Sequence, residues 1–167
     1  MKTLRADARR NLDRLLEAAS ECFAEGGADV SVDEIARRAG VGHGTVFRRF
    51  PTKEALLTEV VLERIRELTR QAEAAVETAD PGPAFDCFFR FAAETYARNR
   101  ALVERFDSCL ESEEVAALEV AVGRLVWRAQ RAGVLRRDVT ALDVLELVPT
   151  AGRHPEVILD GLRPARL

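Results

Sequence analysis

Between Ser31 and Phe50 the chain reads Ser-Val-Asp-Glu-Ile-Ala-Arg-Arg-Ala-Gly-Val-Gly-His-Gly-Thr-Val-Phe-Arg-Arg-Phe, and Pro51 comes next. This pattern admits two short helices around a Gly-Val-Gly turn and little else. Ser31 and Glu34 have the spacing of a capping box, in which each side chain satisfies an orphan backbone N–H at a helix start. Ile35, Ala36 and Ala39 form the apolar stripe of a helix barely two turns long. Gly40 stops it, because glycine takes the left-handed conformation without steric penalty. In the next helix Val46 and Phe50 sit four apart and point inward together. Gly42, Thr45, Arg48 and Arg49 lie on the other side, with no bulky apolar group among them. A helix stripped down on one face in this way suits insertion into a DNA major groove. Pro51 closes the unit by pushing Phe50 out of helical geometry.

Together with the helix before it, from about Arg9 to Leu57, this segment resembles the DNA-binding domain of the tetracycline-repressor (TetR/AcrR) family. The phrase Ile-Ala-Arg-Arg-Ala-Gly-Val-x-x-Gly-Thr-Val-Phe-Arg-Arg-Phe-Pro-Thr-Lys-Glu-Ala-Leu carries the likeness. The resemblance implies an all-α chain with an N-terminal three-helix helix-turn-helix DNA-binding domain over residues 1–52. A connecting helix over 53–80 and a helical ligand-binding and dimerisation domain over 81–167 would complete it. It further implies a transcriptional regulator, a repressor rather than an activator, that binds a palindromic double-stranded operator as a homodimer. A small apolar effector would release it. The DNA-binding positions are then Ser31, Gly42, His43, Gly44, Thr45, Arg48, Arg49 and Lys53. Gly42 stands where a helix-capping Ser is usual in the family and His43 where a Lys often stands. Phe47 replaces a common Tyr whose hydroxyl touches a phosphate, so that contact is absent here.

Bulk composition agrees with this reading without carrying it. The 167 residues suit one domain or two small packed ones, with 47% apolar and 32% charged residues. The net charge of −3 does not announce a nucleic-acid partner, and its distribution is more useful. Residues 1–53 hold ten Lys/Arg against eight Asp/Glu, a surplus of two, whereas the remainder holds fifteen against twenty. The basic end is thus the helix-turn-helix end, as phosphate binding requires. The N-terminus, Met-Lys-Thr-Leu-Arg-Ala-Asp-Ala-Arg-Arg, lacks the apolar run of a signal peptide. No stretch approaches the ~20 apolar residues of a membrane span. A cytoplasmic protein without membrane contact is the expectation. Cys22, Cys87 and Cys109 are odd in number, widely spaced and without a CxxC pair, so free thiols are expected.

Helical periodicity extends through the rest of the chain. Leu12, Leu15, Leu16, Ala19 and Phe23 predict a first helix from about Ala8 to Glu25, ended by Gly26-Gly27. Arg5, Arg9 and Arg10 at its start are either phosphate contacts or a solvated arm. Thr52 caps a long helix from Lys53 to about Ala79, buried through Leu56, Leu57, Val60, Val61, Ile65 and Leu68. Asp80-Pro-Gly-Pro83 is the clearest break. Beyond it the pattern predicts helices over Pro83–Asn99, Leu102–Leu110 and Glu113–Ala132, the last ended by Gly133, and another capped by Thr140. Pro149, Gly152 and Pro155 interrupt the C-terminal stretch between Leu145 and Leu159. Family members usually place two substantial helices there that pair with those of a second subunit, so the chain is expected to be short by several turns. Either the interface is reduced and built from other helices, or an internal loop is missing from the sequence.

The chemistry the chain carries is limited. His43 and His154 have neither a nucleophile nor a paired carboxylate at recognisable spacing, and no glycine-rich phosphate loop or metal-ligand cluster occurs. No catalytic residue, metal site or cofactor is therefore expected. Phe85, Phe88, Phe89 and Tyr96 fall on one helix face, while Phe91 points elsewhere. Aromatic stripes at helical spacing are mostly packing. An apolar effector pocket between helices is the functional alternative, with Phe88, Phe106, Cys109 and Trp127 as its expected lining.

Overall fold

Eight α-helices in chain order form the fold seen in the computed structural model, which describes residues 2–103, 112–152 and 154–165. They are α1 (Lys2–Gly26), α2 (Val32–Ala39), α3 (His43–Arg49), α4 (Lys53–Glu77), α5 (Pro81–Val103), α6 (Glu113–Arg131), α7 (Ala141–Ala151) and α8 (Pro155–Leu162). A short 3-10 turn, Gly27–Asp29, comes directly after α1. Among the described residues there is no strand, and the expected all-α class is what the chain adopts. Contacts divide the chain into two compact units: Met1–Glu63 with Asn99–Cys109, and Arg64–Arg98 with Leu110–Leu167.

In the first unit α1 packs on α2 and α2 on α3. Its core is most of the set the periodicity picks out: Leu15, Leu16, Ala19, Phe23, Ile35, Ala36, Ala39, Val46, Phe50, Leu56, Leu57, Val60 and Val61 are buried, whereas Leu12 is half-buried. Each fully buried Ile, Leu, Val or Phe contributes roughly 1.5–3 kcal/mol against solvent exposure. That is how helices as short as α2 and α3 hold without helical stability of their own. α1 begins well before the expected Ala8. Ser20 Oγ, buried on α1, donates to Asn99 Oδ1 near the end of α5 at 2.9 Å.

The second unit is built on α5 and α6. Phe85, Phe88, Phe89, Ala92, Leu118, Val122, Leu125, Val126 and Ala129 form its core, with Leu135, Val144, Val148, Leu159 and Leu162 added by the C-terminal segments. Phe85 and Phe89 stack at 6.5 Å between ring centroids. α5 runs unbroken through Asn99 to Val103, so the expected break between Asn99 and Leu102 is absent. No proline or glycine stands there to impose one. The remainder of the expected Leu102–Leu110 helix, with Phe106 and Cys109, lies outside the described residues.

Thr140 starts α7 with a complete capping box, its Oγ1 accepting from Asp143 N while Asp143 Oδ2 accepts from Thr140 N at 2.7 Å. α7 continues past Pro149, which removes one N–H but lies close enough to the end for buried Val148 and Ala151 to hold the last turn. α8 opens with Pro155 at its first turn, where the missing N–H costs nothing. Arg90 grips Glu156 with two hydrogen bonds and Arg163 reaches Asp86 at 2.8 Å, so α8 is tied to α5. The two terminal helices, of 11 and 8 residues, are both short.

Candidate nucleic-acid interface

The turn between α2 and α3 is governed by its glycines. Ser31 Oγ accepts from Glu34 N at 3.2 Å and starts α2. Only half of the expected capping box forms, because the Glu34 carboxylate turns to Arg37 with contacts of 2.6 and 3.2 Å. The same hydrogen bond holds the Glu34 carboxyl below its ordinary range. Gly40 ends α2 at φ 65°, in the left-handed region, with its N–H on the Ala36 and Arg37 carbonyls. Gly42 then caps α3 in extended geometry without any side-chain hydrogen bond, as its lack of a hydroxyl dictates.

α3 turns Val46 fully inward and leaves Gly44, Thr45, Phe47, Arg48 and Arg49 outward. Phe50, extended at φ −126° and ψ 91°, shows the conformation that Pro51 demands. Gly42, His43 and Ser31 are also exposed, and Lys53 is half-buried at the start of α4. Thr52 Oγ1 accepts from Ala55 N at 3.1 Å and so caps α4 as its position predicts. The eight expected DNA-binding residues therefore lie on the turn, on α3 and at the flanking helix starts.

The side chains on this surface differ in how they are held. Arg48 folds back along its own helix, Nε to Gly44 O at 3.2 Å and Nη2 to Thr45 Oγ1 at 3.3 Å. Arg49 lies with its guanidinium 5.9 Å from the Phe50 ring centroid. His43 packs its ring on Phe47 at 4.4 Å and places Nε2 2.8 Å from Asp33 Oδ1. Arg38 bonds both Glu25 carboxylate oxygens, at 2.7 and 3.0 Å, and touches Cys22 Sγ. That hydrogen bond keeps the Glu25 carboxyl below its ordinary range and raises the Arg38 guanidinium. Arg37 and Arg38, basic residues inside the motif, are thus occupied by carboxylates.

Sequence reasoning passed over Asp33 and Asn11. Asn11, Leu12 and Leu15 of α1 join Val41, Thr45, Arg48 and Arg49 around an open hollow of about 450 Å³ beside α3. Nothing at a spacing of thirty-odd residues signals that meeting. The polar, exposed position of Asn11 on α1 is the only hint.

Of the residues expected to line an effector pocket, Phe88 and Trp127 border different hollows, and Phe106 and Cys109 lie outside the described residues. Phe88 is buried and borders a hollow of about 310 Å³ with Gln71, Ala74, Thr78, Cys87 and Phe91. Trp127 is 59% exposed and borders a different hollow of about 430 Å³, with Val76, Val120, Gly123, Arg124 and Arg128. Among the described residues no cluster of His, Cys, Asp or Glu is arranged to hold a metal ion, and no helix is long and apolar enough to cross a membrane.

A buried three-helix core that presents a short helix with a polar and basic outer face defines a helix-turn-helix protein. Comparison with known proteins places that class more closely. The family described as bacterial regulatory proteins, tetR family, matches residues 15–60, and the family described as the C-terminal domain of SbtR-like transcriptional regulators matches residues 80–164. The chain belongs to the TetR family of transcriptional regulators, whose members are not enzymes. A crystal structure of a TetR transcription regulatory protein from Mycobacterium vanbaalenii is 41% identical, with a TM-score of 0.81 over 96% of this chain and 99% of that one. A TetR transcriptional regulator from Streptomyces coelicolor is 27% identical, with a TM-score of 0.72 over 93% and 99%. An HTH-type transcriptional repressor from Mycobacterium tuberculosis is 46% identical over 57 residues, 34% of this chain and 30% of that protein. The chain spans about a third of the length of the curated relatives it matches.

Proposed function

We propose that this regulator is a cytoplasmic repressor that binds a palindromic operator as a homodimer and is released by a small apolar effector. The observation that carries the DNA reading is the outer face of α3: Gly44, Thr45, Arg48 and Arg49 are exposed together, with buried Val46 locking the helix behind them. Thr45 and Arg49 read base edges, His43 stands at the helix start facing the groove, and Lys53 anchors the backbone beside the positive end of α4. Ser31 and Gly42 shape the approach. The repressor named among the relatives, matched over the helix-turn-helix segment, supports repression over activation.

Labour divides into residues 1–52 as reader, 53–80 as connector and 81–167 as the ligand-binding and dimerising part. The apolar hollow beside Phe88, at about 310 Å³, falls at the small end of ligand sites. α4 runs from the Thr52 cap to carbonyls that Arg128 holds, with Nη1 on Ala75 O at 3.2 Å and on Val76 O, and Nη2 on Ala79 O at 3.4 Å. An effector that alters this far end shifts the protein between DNA-competent and incompetent states by its differential affinity for the two.

Sequencing of DNA fragments selected by the purified protein tests the proposal. The selected site should be an inverted repeat with half-sites about 34–36 Å or a multiple apart. Binding should fall steeply with salt as phosphate contacts release counterions. A selected site without two-fold symmetry, or binding indifferent to salt, overturns it.

A further inference from the structure

One side chain on the outer side of α3 has no use for water. Phe47 is 39% exposed, and among the described side chains of Met1–Glu63 it is the only large apolar one that is exposed rather than half-buried. Its ring carries neither donor nor acceptor, yet it sits amid Gly44, Thr45, Arg48 and Arg49, the exposed residues of the proposed reading face. The ring is also held before any ligand arrives. His43 packs against it at 4.4 Å between centroids, and His43 is itself fixed by Nε2 at 2.8 Å from Asp33 Oδ1. A side chain already ordered loses little freedom on binding. Gly44, three residues earlier and so a neighbour on the helix surface, brings no side chain, and nothing stands within 4 Å of where its Cβ would be. A duplex can thus come close to the Phe47 ring.

The chemistry of the major groove says what such a ring can meet. Base edges there present donors and acceptors, with one apolar exception, the thymine 5-methyl group. A phenyl ring set against a base carbonyl, amino group or ring nitrogen strips water from a polar group and gives no hydrogen bond in return. To a phosphate it offers no donor, and Asp33, bonded to the histidine that braces it, repels one. Against a methyl group both partners leave water favourably.

We propose that Phe47 reads one thymine in each half-site of the operator through its 5-methyl group. The inference rests on the reading of α3 as the helix that enters the groove, and adds a base identity to it. The test uses the full chain and the operator it selects. Each thymine is replaced in turn by deoxyuridine, symmetrically in the two half-sites, which removes the methyl group and keeps every hydrogen-bonding group. Affinity is read by fluorescence anisotropy. At one position the replacement should weaken wild-type binding on the order of tenfold, from about fourfold for each methyl lost. Phe47→Ala and Phe47→Gln, each verified as folded by circular dichroism, should bind the thymine and deoxyuridine duplexes alike at that position. Thr45 also carries a methyl, so a difference that survives undiminished in both variants assigns the thymine to another side chain and overturns the proposal. The wild-type scan needs no variant: indifference to deoxyuridine at every position overturns it too, while α3 remains the reader. A chain that selects no DNA site at all removes the reading of α3 as well.

Discussion

His43 Nε2 lies 2.8 Å from Asp33 Oδ1, so the first residue of α3 is held to the first turn of α2. The His43 ring is braced on its other side by Phe47, a residue with no hydroxyl to offer a phosphate. The contact sets a carboxylate beside the surface proposed to approach DNA. Asp33→Ala should therefore leave the melting temperature close to wild type, because the pair is exposed. It should strengthen binding to all DNA sequences, measured by fluorescence anisotropy with specific and random duplexes. Unchanged affinity for both duplexes would place Asp33 away from the phosphates.

Base reading and anchoring should separate by residue. Thr45→Ala or Arg49→Ala should alter base preference and cost roughly 1–3 kcal/mol on the cognate site. Lys53→Ala should weaken every sequence about equally and flatten the dependence on salt. Arg48 should behave in between, since in the free protein it must leave Gly44 O and Thr45 Oγ1 before it can touch DNA. Titrations at several salt concentrations against an operator and single-base variants check all three. An Arg49 variant with wild-type preference and affinity would return that side chain to solvent.

Gly40→Ala isolates the cost of the turn. Gly40 has φ 65°, and nothing lies within 4 Å of where its Cβ would be, so the penalty is conformational and not steric crowding. A loss of roughly 1–2 kcal/mol in urea unfolding is expected. Stability equal to wild type would show that the α2–α3 turn adapts without strain.

Acid should weaken the fold gradually. Hydrogen bonds from arginines hold Glu25, Glu34, Glu114 and Glu156 below the ordinary value of 4.5, and Arg136 and Thr140 do the same for Asp138 and Asp143 against 3.8. The unfolded chain therefore binds more protons than the folded one across this range. The stabilisation is complete above these ordinary values and is lost as pH falls through the lower folded-state values. Because the groups are exposed, the decline should be shallow, seen as a falling urea midpoint between about pH 5 and pH 3. A midpoint that rises on acidification contradicts the ion-pair assignments.

The effector site is tested by enlarging one wall. Phe88→Trp should fill the hollow beside Cys87 and Phe91, block induction and leave operator affinity intact. Induction at an unchanged effector concentration would make that hollow mere packing.

The helix-turn-helix is legible in the order of residues alone, because the signals that mark its caps, its turn and its faces act within four positions. Ser31 caps, Gly40 takes a left-handed turn, Val46 and Phe50 share a face, and Pro51 straightens its neighbour. The same local rules place the starts of α4, α6 and α7 at Thr52, Ser112 and Thr140. The partners of the charges are set by the packed chain instead. Arg38 meets Glu25 and Arg90 meets Glu156, the latter 66 residues away, and no periodicity encodes such distances. Arg128 turns to the carbonyls of α4, whereas Arg131 on the next turn of the same helix lies on an indole. The aromatic residues divide for the same reason. Phe85, Phe88 and Phe89 have neighbours to bury them, while Trp127 on α6 is more than half exposed. Helical spacing tells which residues share a face; only packing tells whether anything lies opposite it.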